Sequence, residues 1–179
     1  MVNIDNYIER LKLKDNEAFR YVYDETKRGV YAMIISIVKD RQATEDLMQD
    51  TYIKMLKNID QFTSGRDFNS WVVQIAKNTA LDYYRKHQKT IITDPIDNIH
   101  IIDTVQAETS SNAKNDYSLE EMIKPLNEEE RQIILLHIVS EMKFKTIAET
   151  MSKPLGTILW MYQKALKKIK KSLEGEDLS

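Results

Sequence analysis

Three clusters of polar and aromatic residues in this chain have spacings that suit binding rather than bond-making. In QATEDLMQD, the residues Gln42, Glu45, Asp46, Gln49 and Asp50 recur at the three-to-four-residue step of one helical face. A carboxylate-rich face cannot track a phosphate backbone, so its natural partner is a basic protein surface, unless it is simply solvated. The second cluster runs from Phe62 through the loop Thr63, Ser64, Gly65, Arg66 and Asp67 to Gln74, Lys77, Asn78, Tyr84 and Arg85. Basic and amide side chains beside aromatics suit single-stranded DNA, because unpaired bases stack while amines hold phosphates. A glycine-containing loop next to an aromatic can shape a pocket for an extruded base. The bland alternative is a core aromatic followed by ordinary helix-end charge. The third cluster is KPLGTILWMYQKALKKIKK, where Thr157, Leu159, Trp160, Met161, Gln163, Lys164, Lys167 and Lys168 follow a turn. With FKTIAETM before it, this has the layout of a helix-turn-helix, whose second helix presents its first residues to base edges in the major groove. A helical hairpin with a solvated lysine face has the same pattern.

Other chemistry finds little support. His87, His100 and His137 are far apart and lack ligand-like spacing, cysteine is absent, and no glycine loop has a phosphate-cradling pattern. The expectation is a protein that is not an enzyme, with no cofactor and no metal. Charged residues make up 30% of the 179 residues, yet the net charge is only −2. The charge is segregated: six lysines and no acid lie between Lys153 and Lys171, while acids crowd Glu45 to Asp50 and Glu128 to Glu130. Segregated charge points to separate partners for separate faces. No stretch approaches the roughly 18 apolar residues of a membrane span, and the N-terminus lacks the layout of a signal peptide. A soluble cytoplasmic protein without membrane insertion is expected.

The elements that must position these clusters are helices. Glycine and proline are scarce, at four and three, and apolar residues recur at helical spacing outside one segment. Ile4, Tyr7, Ile8 and Leu11 mark a first helix, and Phe19 to Val38 a longer second. Met48, Tyr52, Met55, Leu56 and Ile59 line one side of a third. Phe68, Trp71, Val72, Ile75, Ala76, Thr79, Ala80 and Tyr83 mark a fourth, with Asp67 or Asn69 placed to cap it. The periodicity stops near Gln88, and 89–117 reads as a linker, flexible in its second half. A spacer of that length argues for two domains, 1–88 and 118–179. Ser118 with Glu121, and Asn127 with Glu130, form capping-box patterns. RQIILLHIV, FKTIAETM and a final helix from about Thr157 to Leu173 complete an all-α chain of two small helical domains.

Together these segments resemble the extracytoplasmic-function (ECF) class of bacterial sigma factors, within the sigma-70 family. The resemblance rests on Glu45, Asp46, Leu47, Gln49, Asp50 and Tyr52, with Thr44 where the family usually has alanine. It continues through Phe68, Trp71, Ile75, Ala76, Asn78, Asp82 and Arg85, then LNEEERQIILLHIV, TIAETM and PLGTI. It implies sigma region 2 in the first domain and region 4 in the second. Glu45, Asp46, Gln49 and Asp50 would then dock on core RNA polymerase. The loop Thr63 to Asp67, with Phe62, Asn78 and their neighbours, would bind the melted minus-ten strand of promoter DNA and hold a flipped base. The final helix would read the minus-thirty-five element, and an anti-sigma factor would be a further partner.

The chain departs from the family pattern after Gly156-Thr157-Ile158. Leu159, Trp160 and Met161 stand where arginine, lysine or small polar residues are usual. Apolar groups touch thymine methyls but cannot make arginine's bidentate guanine contacts. Methyl, shape and lysine readout, a reduced DNA role, and an apolar protein contact are all open on the sequence. Two rival readings also stand: a polymerase-independent helix-turn-helix regulator, and a degenerate sigma homologue acting as a protein-interaction module.

Overall fold

The computed structural model describes residues 4–63, 65–87 and 122–174, and among them every regular element is helical. The helices are α1 (Ile4–Lys12), α2 (Asn16–Val38), α3 (Arg41–Lys57), α4 (Phe68–His87), α5 (Glu128–Ile138), α6 (Phe144–Met151) and α7 (Leu155–Leu173). A 3-10 turn, Ile59–Gln61, follows α3. The linker expected over 89–117, the capping pattern of Ser118 with Glu121, and Ser64 all lie outside the described residues.

The helix starts follow from short acceptor side chains meeting amides that have no carbonyl partner. Asp15 accepts from the Glu17 and Ala18 amides, and Asp40 from Ala43. At α4 the capping residue is Asp67, which accepts from the Ser70 amide at 2.7 Å; Asn69 sits inside the first turn. At α5 the expected capping box is complete, with Asn127 and Glu130 each bonding the other's backbone amide. Arg10 holds the Asp15 carboxyl below its ordinary range, reinforced by the helix amides it caps.

The second half of α2, Gly29 through Val38, is buried on every side. An all-round apolar helix must be enclosed by neighbours. α3 and α4 cover it from the N-terminal half and α5 from the C-terminal half. α5 is likewise buried from Glu130 through Leu136. The two domains expected from the linker therefore meet along α2–α5 and α4–α6 and share one core. Gly29 lets α2 and α4 pack closely: a Cβ there would approach Val73 Cγ2 to 3.0 Å, while Met142 Cε from the other half would lie in ordinary contact at 3.7 Å.

Polar bonds cross this junction as well. Thr150 donates to the Thr146 carbonyl at 2.8 Å, so the Ser70 hydroxyl is left to donate to Thr150 Oγ1 at 2.7 Å. Arg131 on α5 donates to the Ser36 carbonyl of α2 and to Leu126 O. Burial pushes its guanidinium below the ordinary arginine value, while Glu128 opposes that shift.

Candidate nucleic-acid interface

The loop before α4 and the first turns of that helix form one wall of a cleft of about 640 Å³. Gly65, Arg66, Asp67, Ser70, Trp71 and Gln74 line that side. Gly65 has φ +93°, a left-handed conformation that side chains disfavour, which is why a glycine stands at the crown of this loop. Asp67 joins the loop to the helix by its cap. The opposite wall is α6, contributing Lys145, Thr146 and Glu149. The cleft is thus bounded by both halves of the chain and lined mainly by polar groups, with the half-buried Trp71 as its aromatic.

Phe62 is placed otherwise than a base-contacting residue would be. Its ring is 8% exposed and packs edge-on against Phe68 at 5.1 Å, with Trp71 at 5.3 Å. It supports the floor of the cleft and leaves Trp71 as the aromatic in reach. Thr63 and Arg66 are exposed, as are Asn78 and Arg85 further along α4. Gln74, Lys77 and Tyr84 are half-buried. Arg85 makes an exposed ion pair with Asp82 at 3.3 Å, one that solvent screens and phosphate can displace.

On α3, Glu45, Asp46, Gln49 and Asp50 all face solvent, opposite the buried Ala43, Leu47 and Met55. Beside them lies an apolar groove of about 380 Å³ lined by Phe19, Tyr23, Met48, Tyr52, Ile53 and Leu56, with Glu45 and Gln49 on its rim. Reading the sequence missed this groove. Leu56 was expected on the inner side of α3 but is exposed, as is Ile53. The available signal was Ile53 itself, an apolar residue falling outside the helical core period. Apolar walls beside an acidic helix face fit a partner helix that is basic and amphipathic.

In the helix-turn-helix, Ile147, Ala148 and Met151 of α6 pack on Ile158, Ala165 and Ile169 of α7, all buried. Ser152 takes a left-handed conformation at φ 53° to end α6, and Pro154 opens α7. Tyr162 closes the hairpin through an aromatic group with Phe144 (4.8 Å) and His137 (5.2 Å). His137 stacks on Phe144 and bonds the Met142 carbonyl through Nδ1, a structural role.

The run Leu159-Trp160-Met161 divides. Met161 is only 7% exposed and belongs to the core, whereas Leu159 and Trp160 point outward with Leu155. Thr157 is half-buried, and Gln163, Lys164 and Lys167 are exposed to solvent. Lys168 is committed within the protein. Its amine sits 2.7 Å from the Glu130 carboxylate, which is 1% exposed, so it ties α7 to α5 instead of standing free for phosphate.

Two family models match the chain: Sigma-70 region 2 over residues 22–90, and Sigma-70, region 4 over residues 117–169. The chain is 24% identical to the ECF RNA polymerase sigma factor SigW of Bacillus subtilis, across 95% of this chain and 96% of that one. It is also 24% identical to the ECF RNA polymerase sigma factor BldN of Streptomyces coelicolor, across 94% of this chain, and spans 65% of that relative's length. Among solved structures, the fold is similar to the sigma factor RpoE of Bartonella quintana in its complex with the anti-sigma factor NepR. That match has a TM-score of 0.63 and 21% identity, covering 87% of this chain and 96% of that one. With both regions matched in order and relatives of one kind aligned along nearly all of it, the chain belongs to the ECF class of the sigma-70 family.

Proposed function

We propose that this chain is a sigma subunit that joins core RNA polymerase and directs it to promoter DNA in the bacterial cytoplasm. The observation that carries this reading is the pairing of an apolar groove beside the acidic face of α3 with a polar, tryptophan-bearing cleft at the start of α4. In this reading the residues divide as follows. Glu45, Asp46, Gln49 and Asp50, together with Ile53 and Leu56 in the groove, take a basic helical surface of the polymerase. Thr63, Ser64, Gly65, Arg66 and Asp67, with Trp71, Gln74, Lys77 and Asn78, hold the opened minus-ten strand. Tyr84 and Arg85 follow it along α4. Residues 1–88 form the region 2 unit, 89–117 the linker and 118–179 the region 4 unit, whose α7 docks at the minus-thirty-five element. An anti-sigma protein is a further partner, as NepR is for the similar sigma factor RpoE.

The chemistry fits the division of labour. The acidic face of α3 repels phosphate and attracts lysine and arginine, with Glu45 already held by Arg41 at 3.1 Å, so a basic protein surface suits it better than DNA does. Unstacked bases offer exposed edges and faces, which amides, hydroxyls and one indole can satisfy. A near-neutral chain also avoids being trapped on the roughly million or more nonspecific sites of a genome.

The test is run-off transcription with core polymerase and genomic promoters, comparing the chain with an Asp46→Arg, Gln49→Ala double variant. The expected outcome is start-site-specific transcripts from the parent chain, and core binding weaker by about a hundredfold in the variant, since like charge across an interface costs several kcal/mol. Absence of promoter opening by the parent chain sinks the reading. Undiminished co-purification of the variant with polymerase removes α3 from it.

A further inference from the structure

The outer face of α7 has a composition at odds with a helix made to hydrogen-bond base edges. Leu155, Leu159 and Trp160 are 44%, 40% and 62% exposed, and all three lie in its first two turns. They are not needed for the core, which α7 reaches through Ile158, Met161, Ala165 and Ile169. The Lys164 amine lies 5.0 Å from the centre of the Trp160 ring, so one face of the indole carries a cation that can also reach outward.

The surroundings say what this face meets. From Leu155 to Leu173 the helix has no acid, and Lys164 and Lys167 follow the apolar residues along it. An apolar patch on a helix whose charged residues are all lysines complements a polyanion with apolar features inside its charged edges. Duplex DNA is such a ligand, and the thymine C5-methyl is the apolar group that its major groove displays. Guanine readout asks for a bidentate arginine or lysine and adenine readout for asparagine or glutamine. Here the polar groups near the patch other than the lysines are Gln163 and the half-buried Thr157.

We propose that Leu155, Leu159 and Trp160 read thymine methyl groups in the major groove of the upstream promoter element, with Lys164 and Lys167 on the flanking phosphates. This rests on the sigma-factor reading above and adds which bases the second domain selects and through which atoms. Specificity then comes from burying methyls rather than from hydrogen bonds. Each lost methyl weakens recognition about fourfold, the factor set by burying one such group, and the loss is graded with the number of thymines.

The experiment uses the full chain bound to core polymerase and a promoter library randomised at the upstream element. Elements recovered in open complexes are resynthesised with deoxyuridine for thymidine, which deletes the methyl and keeps every hydrogen-bonding group. The expected result is thymine enrichment in the recovered elements and a loss of about fourfold per substituted position. That loss should fall sharply in the Leu159→Ala, Trp160→Ala double variant, which keeps only Leu155 of the three; the two side chains are exposed and their removal leaves the core intact. Recovered elements without thymine preference overturn the proposal. So does deoxyuridine tolerance, or a penalty that persists undiminished in the double variant. If that variant instead loses affinity for polymerase with no methyl dependence, the patch is a protein contact and the proposal is wrong. A library yielding no open complexes at all would fail the sigma-factor reading itself, a different outcome from opened promoters that ignore the methyl.

Discussion

The cleft in front of α4 and the outer face of α7 are built from opposite materials and stand in opposite states of access. The cleft is polar, holds one half-buried indole, and has α6 as its far wall. The α7 face is apolar within a lysine frame and open to solvent. Each composition suits a different form of DNA. An opened strand exposes hydrogen-bonding edges that polar groups satisfy, whereas a closed duplex hides those edges in pairs and leaves methyls and phosphates outside. The two surfaces are also mechanically linked, because α6 and α7 belong to one helix-turn-helix.

That linkage has a geometric consequence on the proposed reading. Elements centred about 25 base pairs apart are separated by about 85 Å of B-DNA, at about 3.4 Å per step. A compact chain of this length has a radius of gyration of about 16 Å. Both elements cannot be held while the α2–α5 and α4–α6 contacts persist. The junction contains groups suited to parting: Arg131 Nε and Asn69 Oδ1 are buried there without a hydrogen-bond partner among the described residues. Such atoms regain their bonds in water, so opening recovers part of its cost.

Thr150→Arg should break the contrast in access most strongly. Thr150 is 1% exposed at the α4–α6 contact, and a buried unpaired charge there costs about 3–5 kcal/mol. The free variant should have a larger radius of gyration by X-ray scattering and bind a single-stranded minus-ten oligonucleotide markedly tighter. Its duplex binding through α7 should stay unchanged. Equal oligonucleotide affinity in both proteins would mean that α6 does not limit the cleft.

Arg131→Met has an intermediate expected effect. It removes two charge-assisted bonds, including the one to the Ser36 carbonyl. Stability in urea should fall by about 1.5–3 kcal/mol, with loosening of the junction seen as faster amide exchange at the end of α2. A fall confined to α5–α7 would show that the guanidinium serves its own half alone.

The smallest effects sharpen the contrast in ligand. Lys167→Ala should reduce the salt slope of duplex binding by about 0.9, and Lys77→Ala that of single-strand binding by about 0.7, each leaving the other slope untouched. Titrations of holoenzyme against both ligands at several salt concentrations give the two numbers. Swapped or shared effects would show that the surfaces are not separate.

Much of the architecture was legible because helical period, capping acceptors and charge placement are local. Asn127 with Glu130, and the exposed acids of α3 opposite Leu47 and Met55, lie where spacing put them. The site was legible to a lesser degree. Phe62 and Met161 turn inward, Lys168 pairs with Glu130, and Ile53 with Leu56 opens a groove. Each of these depends on which neighbour arrives from elsewhere in the chain. The all-round apolar run GVYAMIISIV was the available sign that α2 would be covered by more than its own half.

The amino-acid order by itself determined the helices, their caps, the segregation of acid from lysine and the family pattern, since these depend on residues within a few turns of one another. Only the tertiary structure decided that the two halves share a core, that α6 walls the cleft, and which of Leu159, Trp160 and Met161 face outward. Those outcomes arise from contacts between residues distant in sequence, such as Ser70 with Thr150 and Arg131 with Ser36. Periodicity assigns a residue to a helical face, but packing decides what that face meets.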